Sequence, residues 1–193
     1  MPKPPEPPDK ETPEGRPSNL NEDFERILET RRIFLFGEID THLAKNLVEA
    51  LLLLDEDAPG EDIDLIINSS GGDYYSAVAL YDTFQMLHSD VRTITLGAAE
   101  SAAAFIAAVG TKGKRFAGRA SRFMLHQVHW DAEAKVKDME LRVVQLRRLN
   151  DDMDRILAEV TGQPYEKIQH DFEYDFWLDA EGAKAYGLVD EVL

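Results

Sequence analysis

Residues 91–127 read VRTITLGAAESAAAFIAAVGTKGKRFAGRASRFMLHQ, with Ser101 near one end and His126 near the other. The apolar run Val91–Leu96 predicts a short strand, Gly97–Glu100 a tight turn, and Ser101 the opening of a helix of small residues, Ala102–Ala108. That arrangement puts a hydroxyl at a helix N-terminus, where unpaired N–H groups and the helix dipole stabilise a negative oxygen. A second strand, Arg122–Leu125, delivers His126 as its apolar run ends. A serine and a histidine at adjacent edges of one core form a candidate nucleophile and base. Each residue also has an ordinary reading. Serine before an alanine run is most often an N-cap, and a histidine at a strand end is most often a surface polar group. Neither marks a site alone.

Outward from this stretch, strands and helices alternate. Arg32–Phe36 predicts a strand ended by Gly37, after a short amphipathic turn at Phe24, Ile27 and Leu28. Asp40 or Thr41 caps a helix whose Leu43, Leu47, Leu51 and Leu54 recur at helical spacing, and Pro59-Gly60 breaks it. Ile63–Ile67 predicts the next strand. It runs into Asn68-Ser69-Ser70-Gly71-Gly72, a turn whose backbone N–H groups can approach a ligand closely. A helix with Ala77, Leu80, Phe84 and Leu87 on one face follows. From about Ala132 to Val160, apolar residues return every three or four positions. This predicts one long helix, closed by Thr161-Gly162 and long enough to pack on another subunit. A short helix at Tyr165–His170, a small helix at Ala180–Tyr186 and a last strand at Leu188–Leu193 complete the chain. Strands alternating with helices imply an α/β domain with a mostly parallel sheet.

The 193 residues suit one domain, residues 19–193, preceded by a disordered proline-rich acidic arm at 1–18. With no cysteine, disulfides, thiol nucleophiles and thiolate metal sites are excluded. The net charge of −16 repels phosphate backbones and argues against nucleic-acid binding. There is no apolar run of membrane-spanning length and no signal-peptide core, so a soluble, cytoplasmic protein is expected.

Six blocks carry a family resemblance: Ile67–Gly72, Gly97–Ala102, Gly113–Phe116, Met124–Gln127, Thr161–Gln163 and Tyr186–Asp190. In register, they resemble the proteolytic subunit of the caseinolytic (Clp) protease from about residue 23 to the C-terminus. The resemblance implies a ClpP/crotonase-like fold of stacked ββα units with a long projecting handle helix, the handle region covering about 127–162. It implies a serine endopeptidase with Ser101 as nucleophile, His126 as general base and acid, and Asp175 as the orienting carboxylate. The backbone N–H groups of Gly71 and Ala102 would form the oxyanion hole. No metal or cofactor is implied, and ATP would be used only by a separate AAA+ unfoldase that feeds unfolded polypeptides. Self-assembly into heptameric rings, paired as a tetradecamer, is also implied.

Several positions depart from that pattern. Ser70 replaces a proline, and Glu100 stands where a small residue is common. Asp64 and Ile66 occupy positions where tyrosines line the unfoldase docking pocket. Val128-His129-Trp130-Asp131 replaces a proline- and glycine-rich segment, and Tyr174 an arginine that couples ring contact to the active site. The proline-rich arm stands in place of an axial loop. These departures raise a rival reading, a ring subunit with a silent site that acts as scaffold for an active paralogue. A crotonase-like acyl-CoA enzyme is a third possibility, since the fold and oxyanion hole are shared.

Overall fold

The computed structural model describes residues 29–129 and 133–193. The expected arm at 1–18, the helical turn at Phe24–Leu28 and the segment Trp130–Ala132 lie outside the described residues. Seven strands form one sheet: β1 (Arg32–Phe36), β2 (Ile63–Ser69), β3 (Val91–Glu100), β4 (Arg115–Ala117), β5 (Arg122–Leu125), β6 (Phe176–Asp179) and β7 (Glu191–Val192). Between them lie helices α1 (Thr41–Asp57), α2 (Tyr74–Met86), α3 (Ala102–Ala108), α4 (Val136–Thr161), α5 (Tyr165–Asp171) and α6 (Ala180–Tyr186). The order β1-β2-β3-β4-β7 is parallel throughout. β5 branches from the far end of β3, and only β6 runs antiparallel, against β5. This is the α/β fold with a parallel-dominated sheet that the alternating pattern implies.

Strand β3 is the spine, and it is longer than its sequence suggests. The stretch Gly97–Glu100, expected as a turn, continues the strand. The ladder to β2 slips between Ile67 and Ser69, and Gly97, at φ +100, absorbs the irregularity beside the Asn68 side chain. The near half of β3 pairs with β4 (Thr93 with Arg115) and the far half with β5 (Glu100 with Met124). The strands β4 and β6 carry no hydrophobic alternation long enough to announce them.

The core lies between the sheet and helices α1, α2 and α3. Helix α1, capped by Asp40 Oδ1 on Leu43 N–H, buries Leu47, Leu51 and Leu54. All seven residues of α3 are buried. Its alanines let it lie close to β3, where Thr93 Oγ1 donates to the Ala107 carbonyl. Helix α4 begins at Val136 rather than Ala132 and ends in a left-handed Gly162. Its 26 residues extend roughly 39 Å, and its buried residues, Leu149, Asp154 and Leu157, all lie in the second half. Among the described residues, no helix is long and apolar enough to cross a membrane.

Arg115 ties the base of this helix to the sheet. Its guanidinium, 3% exposed, donates to the Ala108 carbonyl at the end of α3, to the Val160 carbonyl at the end of α4 and twice to Asp190 (2.9 and 2.7 Å). Burial alone would raise the Asp190 carboxyl. The hydrogen bonds from Arg115, its charge and the Gly113 N–H instead hold it below the usual carboxylate value. Asp190→Ala strands the guanidinium and is expected to lower the unfolding free energy by about 3–5 kcal/mol, measured by urea titration at pH 7. Because the folded carboxyl is the stronger acid, this contribution is full above the unfolded pKa and is lost as the pH falls through the folded value. The gap between wild type and variant should therefore close in acid.

Candidate active site

Strand ends assemble the site. Gly71 and Gly72 follow β2, Ser101 follows β3 and His126 follows β5, all at the carboxyl edge of parallel strands, where open α/β sheets bind ligands. Ser101 N–H donates to the Met124 carbonyl at 2.7 Å, which fixes the serine turn to the strand that carries His126. The antiparallel register pairs Leu125 with Phe176, so one more step along each chain sets His126 opposite Asp175. The strand β6 thus supplies a structural reason for Asp175 where sequence offered only a resemblance.

Ser101 occupies a conformation that L-residues avoid, φ 53° and ψ −123°, between a strand and a helix. A strained strand-to-helix turn of this kind presents a nucleophilic serine at the top of the sheet in other hydrolase folds. The ordinary reading fails, because the Ser101 side chain makes no capping hydrogen bond. Gly71, at φ +88, lies directly against this turn. A Cβ on it would fall 2.5 Å from the Glu100 carbonyl and 2.9 Å from Ser101 Cβ. Only glycine fits there.

A cleft of about 400 Å³ opens over these groups, lined by Gly71, Gly72, Ser101, Ala102 and His126, with Met124, Met153 and Val128 as apolar floor. The His126 ring also faces a second hollow, which Asp175 lines. Half-buried His126 therefore stands between Ser101 and the exposed Asp175. Among the described residues, no hydrogen bond joins Ser101 to His126 or His126 to Asp175. The ring instead packs on His129, with centroids 5.1 Å apart. Burial first, then His129, push the His126 imidazole below its usual 6.5, and Asp175 offsets this only in part. Glu100 is not among the groups that act on it.

The two expected oxyanion donors, the N–H groups of Gly71 and Ala102, differ in their surroundings. Gly71 N–H is engaged, donating to Ser69 Oγ at 3.1 Å, while Ser69 Oγ itself donates to the Gly37 carbonyl. Gly72 N–H and Ala102 N–H have no partner among the described residues, and both residues line the cleft. Gly72 is the residue that sequence reasoning passed over. The paired glycines were visible, but which of the two N–H groups stays open depends on the Ser69 hydroxyl.

Two measurements check this geometry. Ser101→Gly relieves the strained backbone that Ser101→Ala retains, so the glycine variant should be the more stable of the two by roughly 1–2 kcal/mol in thermal unfolding. In proton NMR, the His126 imidazole should titrate with a midpoint below 6.5, so the neutral base persists at neutral pH and is lost only in mild acid.

A comparison with protein families covers this fold. A model of the Clp protease family matches residues 15–193, nearly the whole chain and every strand and helix above. The chain belongs to the Clp protease family.

Proposed function

We propose that the protein is a serine endopeptidase and the proteolytic subunit of an ATP-dependent Clp-type protease, degrading unfolded polypeptides to short peptides. The observation that carries this reading is the backbone of Ser101. A non-glycine residue is held in a strained strand-to-helix turn, its hydroxyl free, at the lip of a cleft that His126 shares. In the proposed mechanism, neutral His126 takes the Ser101 proton as the hydroxyl attacks the scissile carbonyl. The imidazolium, steadied by Asp175, then protonates the leaving amine. Ala102 N–H and Gly72 N–H receive the tetrahedral oxyanion, and water admitted to the cleft hydrolyses the acyl-enzyme. This mechanism calls on no metal or organic cofactor.

Assembly into heptameric rings, paired face to face, fits the first half of α4. Val136, Leu141, Val143 and Val144 stand exposed there, a face that a second copy can cover. A partner AAA+ unfoldase would supply substrate and consume ATP. At the position expected to face it, Asp64 accepts ion pairs from Arg32 and Arg92, both at 3.2 Å, so docking there would have to accommodate charge where the family offers tyrosine. A cytoplasmic location fits this role.

The unlinked Ser101, His126 and Asp175 favour one further reading, a ring subunit whose site closes only in contact with an active paralogue. Hydrolysis of a short fluorogenic peptide by the purified chain, with particle mass read by light scattering, separates the two. The peptidase reading expects turnover in a particle of ring size, reduced on the order of 10³-fold or more by Ser101→Ala. An inactive wild type of ring size supports the scaffold, and saturable acyl-CoA binding would point to the crotonase-like alternative.

A further inference from the structure

This inference rests on the reading of His126 as the base, and it concerns what holds that base in place. After Leu125 the chain leaves the sheet, so His126 is positioned by whatever grips the residues beyond it. Gln127 N–H donates to the Phe172 carbonyl at 3.1 Å. Val128 is gripped on both sides by a single side chain. Its N–H donates to Asn150 Oδ1 at 2.6 Å, and its carbonyl accepts from Asn150 Nδ2 at 3.3 Å. Nδ2 also reaches the Leu146 carbonyl one turn back on α4, at 3.1 Å, which locks the amide and decides which end is oxygen.

The helix thus imitates a β-bridge with one carboxamide. Val128 lies between His126 and His129, whose rings are in contact, so a shift of the Val128 peptide moves both imidazoles. Asn150 shares one face of α4 with Leu146, which lines the hollow beside Asp175, and Met153, which lines the Ser101 cleft. The same helix therefore borders the base on both sides.

We propose that Asn150 is a positioning residue for His126: its amide, clamped on the Val128 peptide, sets the His126–His129 pair and couples helix α4 to the reaction. The titratable groups around the pair are Asp175 and Glu173 from the turn before β6, with Tyr174 between them, and Glu38, Asp73, Tyr74 and Tyr75 across the cleft. On α4 itself, Asp152 acts on Tyr74 across the cleft, and Arg147, Arg148, Asp151 and Asp154 line a hollow with Gln127. Asn150→Ala leaves all of these charges in place and removes only the amide.

The test compares full-length wild type, Asn150→Ala and Asn150→Asp by peptide hydrolysis, His126 NMR titration, light scattering and thermal unfolding. Asn150→Ala should lose roughly 100-fold in kcat with KM little changed. Its His126 midpoint should rise toward 6.5 as the ring separates from His129 and gains water. Asn150→Asp keeps the acceptor for Val128 N–H but loses the donor, so its kcat should fall between; its His126 midpoint is left out of the comparison, because the new carboxylate itself raises a nearby imidazole. A wild-type kcat and an unmoved His126 midpoint in Asn150→Ala would overturn the proposal, as would a lowered melting temperature or altered particle mass with no change in that midpoint. If wild type shows no Ser101-dependent hydrolysis, the peptidase reading fails instead, and the NMR comparison still decides whether Asn150 holds His126.

Discussion

The structure depends on strand β3 running unbroken from Val91 to Glu100 and then turning into a buried helix within one residue. Its near half holds β2 and β4, and its far half holds β2 and β5, so it sets these three strands in register and, through β2 and β4, carries the outer strands β1 and β7. Helix α3 must begin at once, because all of its residues are buried and it has no slack to give to a loop. Ser101 absorbs the whole change of direction in its own φ and ψ. Such a conformation survives only where its surroundings over-determine it. Here they do, through Ser101 N–H on the Met124 carbonyl, the bare Gly71 against its side chain, and the close packing of α3 under the sheet.

A similar logic governs charge. The chain is strongly acidic, yet its best-buried cation, Arg115, gathers the carbonyl ends of two helices and the Asp190 carboxylate at one point. Helix C-termini carry unpaired carbonyls and partial negative charge, and a planar guanidinium with five donors can satisfy several of them together. The consequence is mechanical. The end of α3, which begins after Ser101, and the end of α4, which borders His126, share one anchor. The lower half of α4 is thereby built into the core, while its first half is not.

The long and periodic elements were legible in the sequence: β1, β2, β5, the leucine stripe of α1, the alanine helix after Ser101 and the body of α4 with its glycine stop, though not its first turn. What escaped reading is short or depends on distant contacts. The three residues of β4 and four of β6 are strands because β3 and β5 offer them partners, which no local pattern encodes. Gly97–Glu100 looked like a turn, since glycine and alanine favour one locally, and pairing with both β2 and β5 overrode that preference. At the site, Ser101 and His126 could be suspected from position alone. Asp175 is singled out from its acidic neighbours only by the register of the family resemblance, because no local pattern marks it; continuing the β5–β6 register gives it the position opposite His126. The engagement of Gly71 N–H turns on a serine hydroxyl two residues away, a contact invisible without the fold.

The three expected catalytic side chains owe their placement to different parts of the molecule, and this bears on how the site can be regulated. Ser101 is held by the core and cannot move without disturbing α3. Asp175 sits exposed one residue before a four-residue strand. His126 lies between them, on a segment that the sheet has already released. The histidine depends on contacts made by the residues after it, with the Phe172 carbonyl and with α4. A displacement of α4 that carried Asn150 would therefore move the Val128 peptide and His126 with it, while the contacts that fix Ser101, from the Met124 carbonyl and Gly71, lie off this helix.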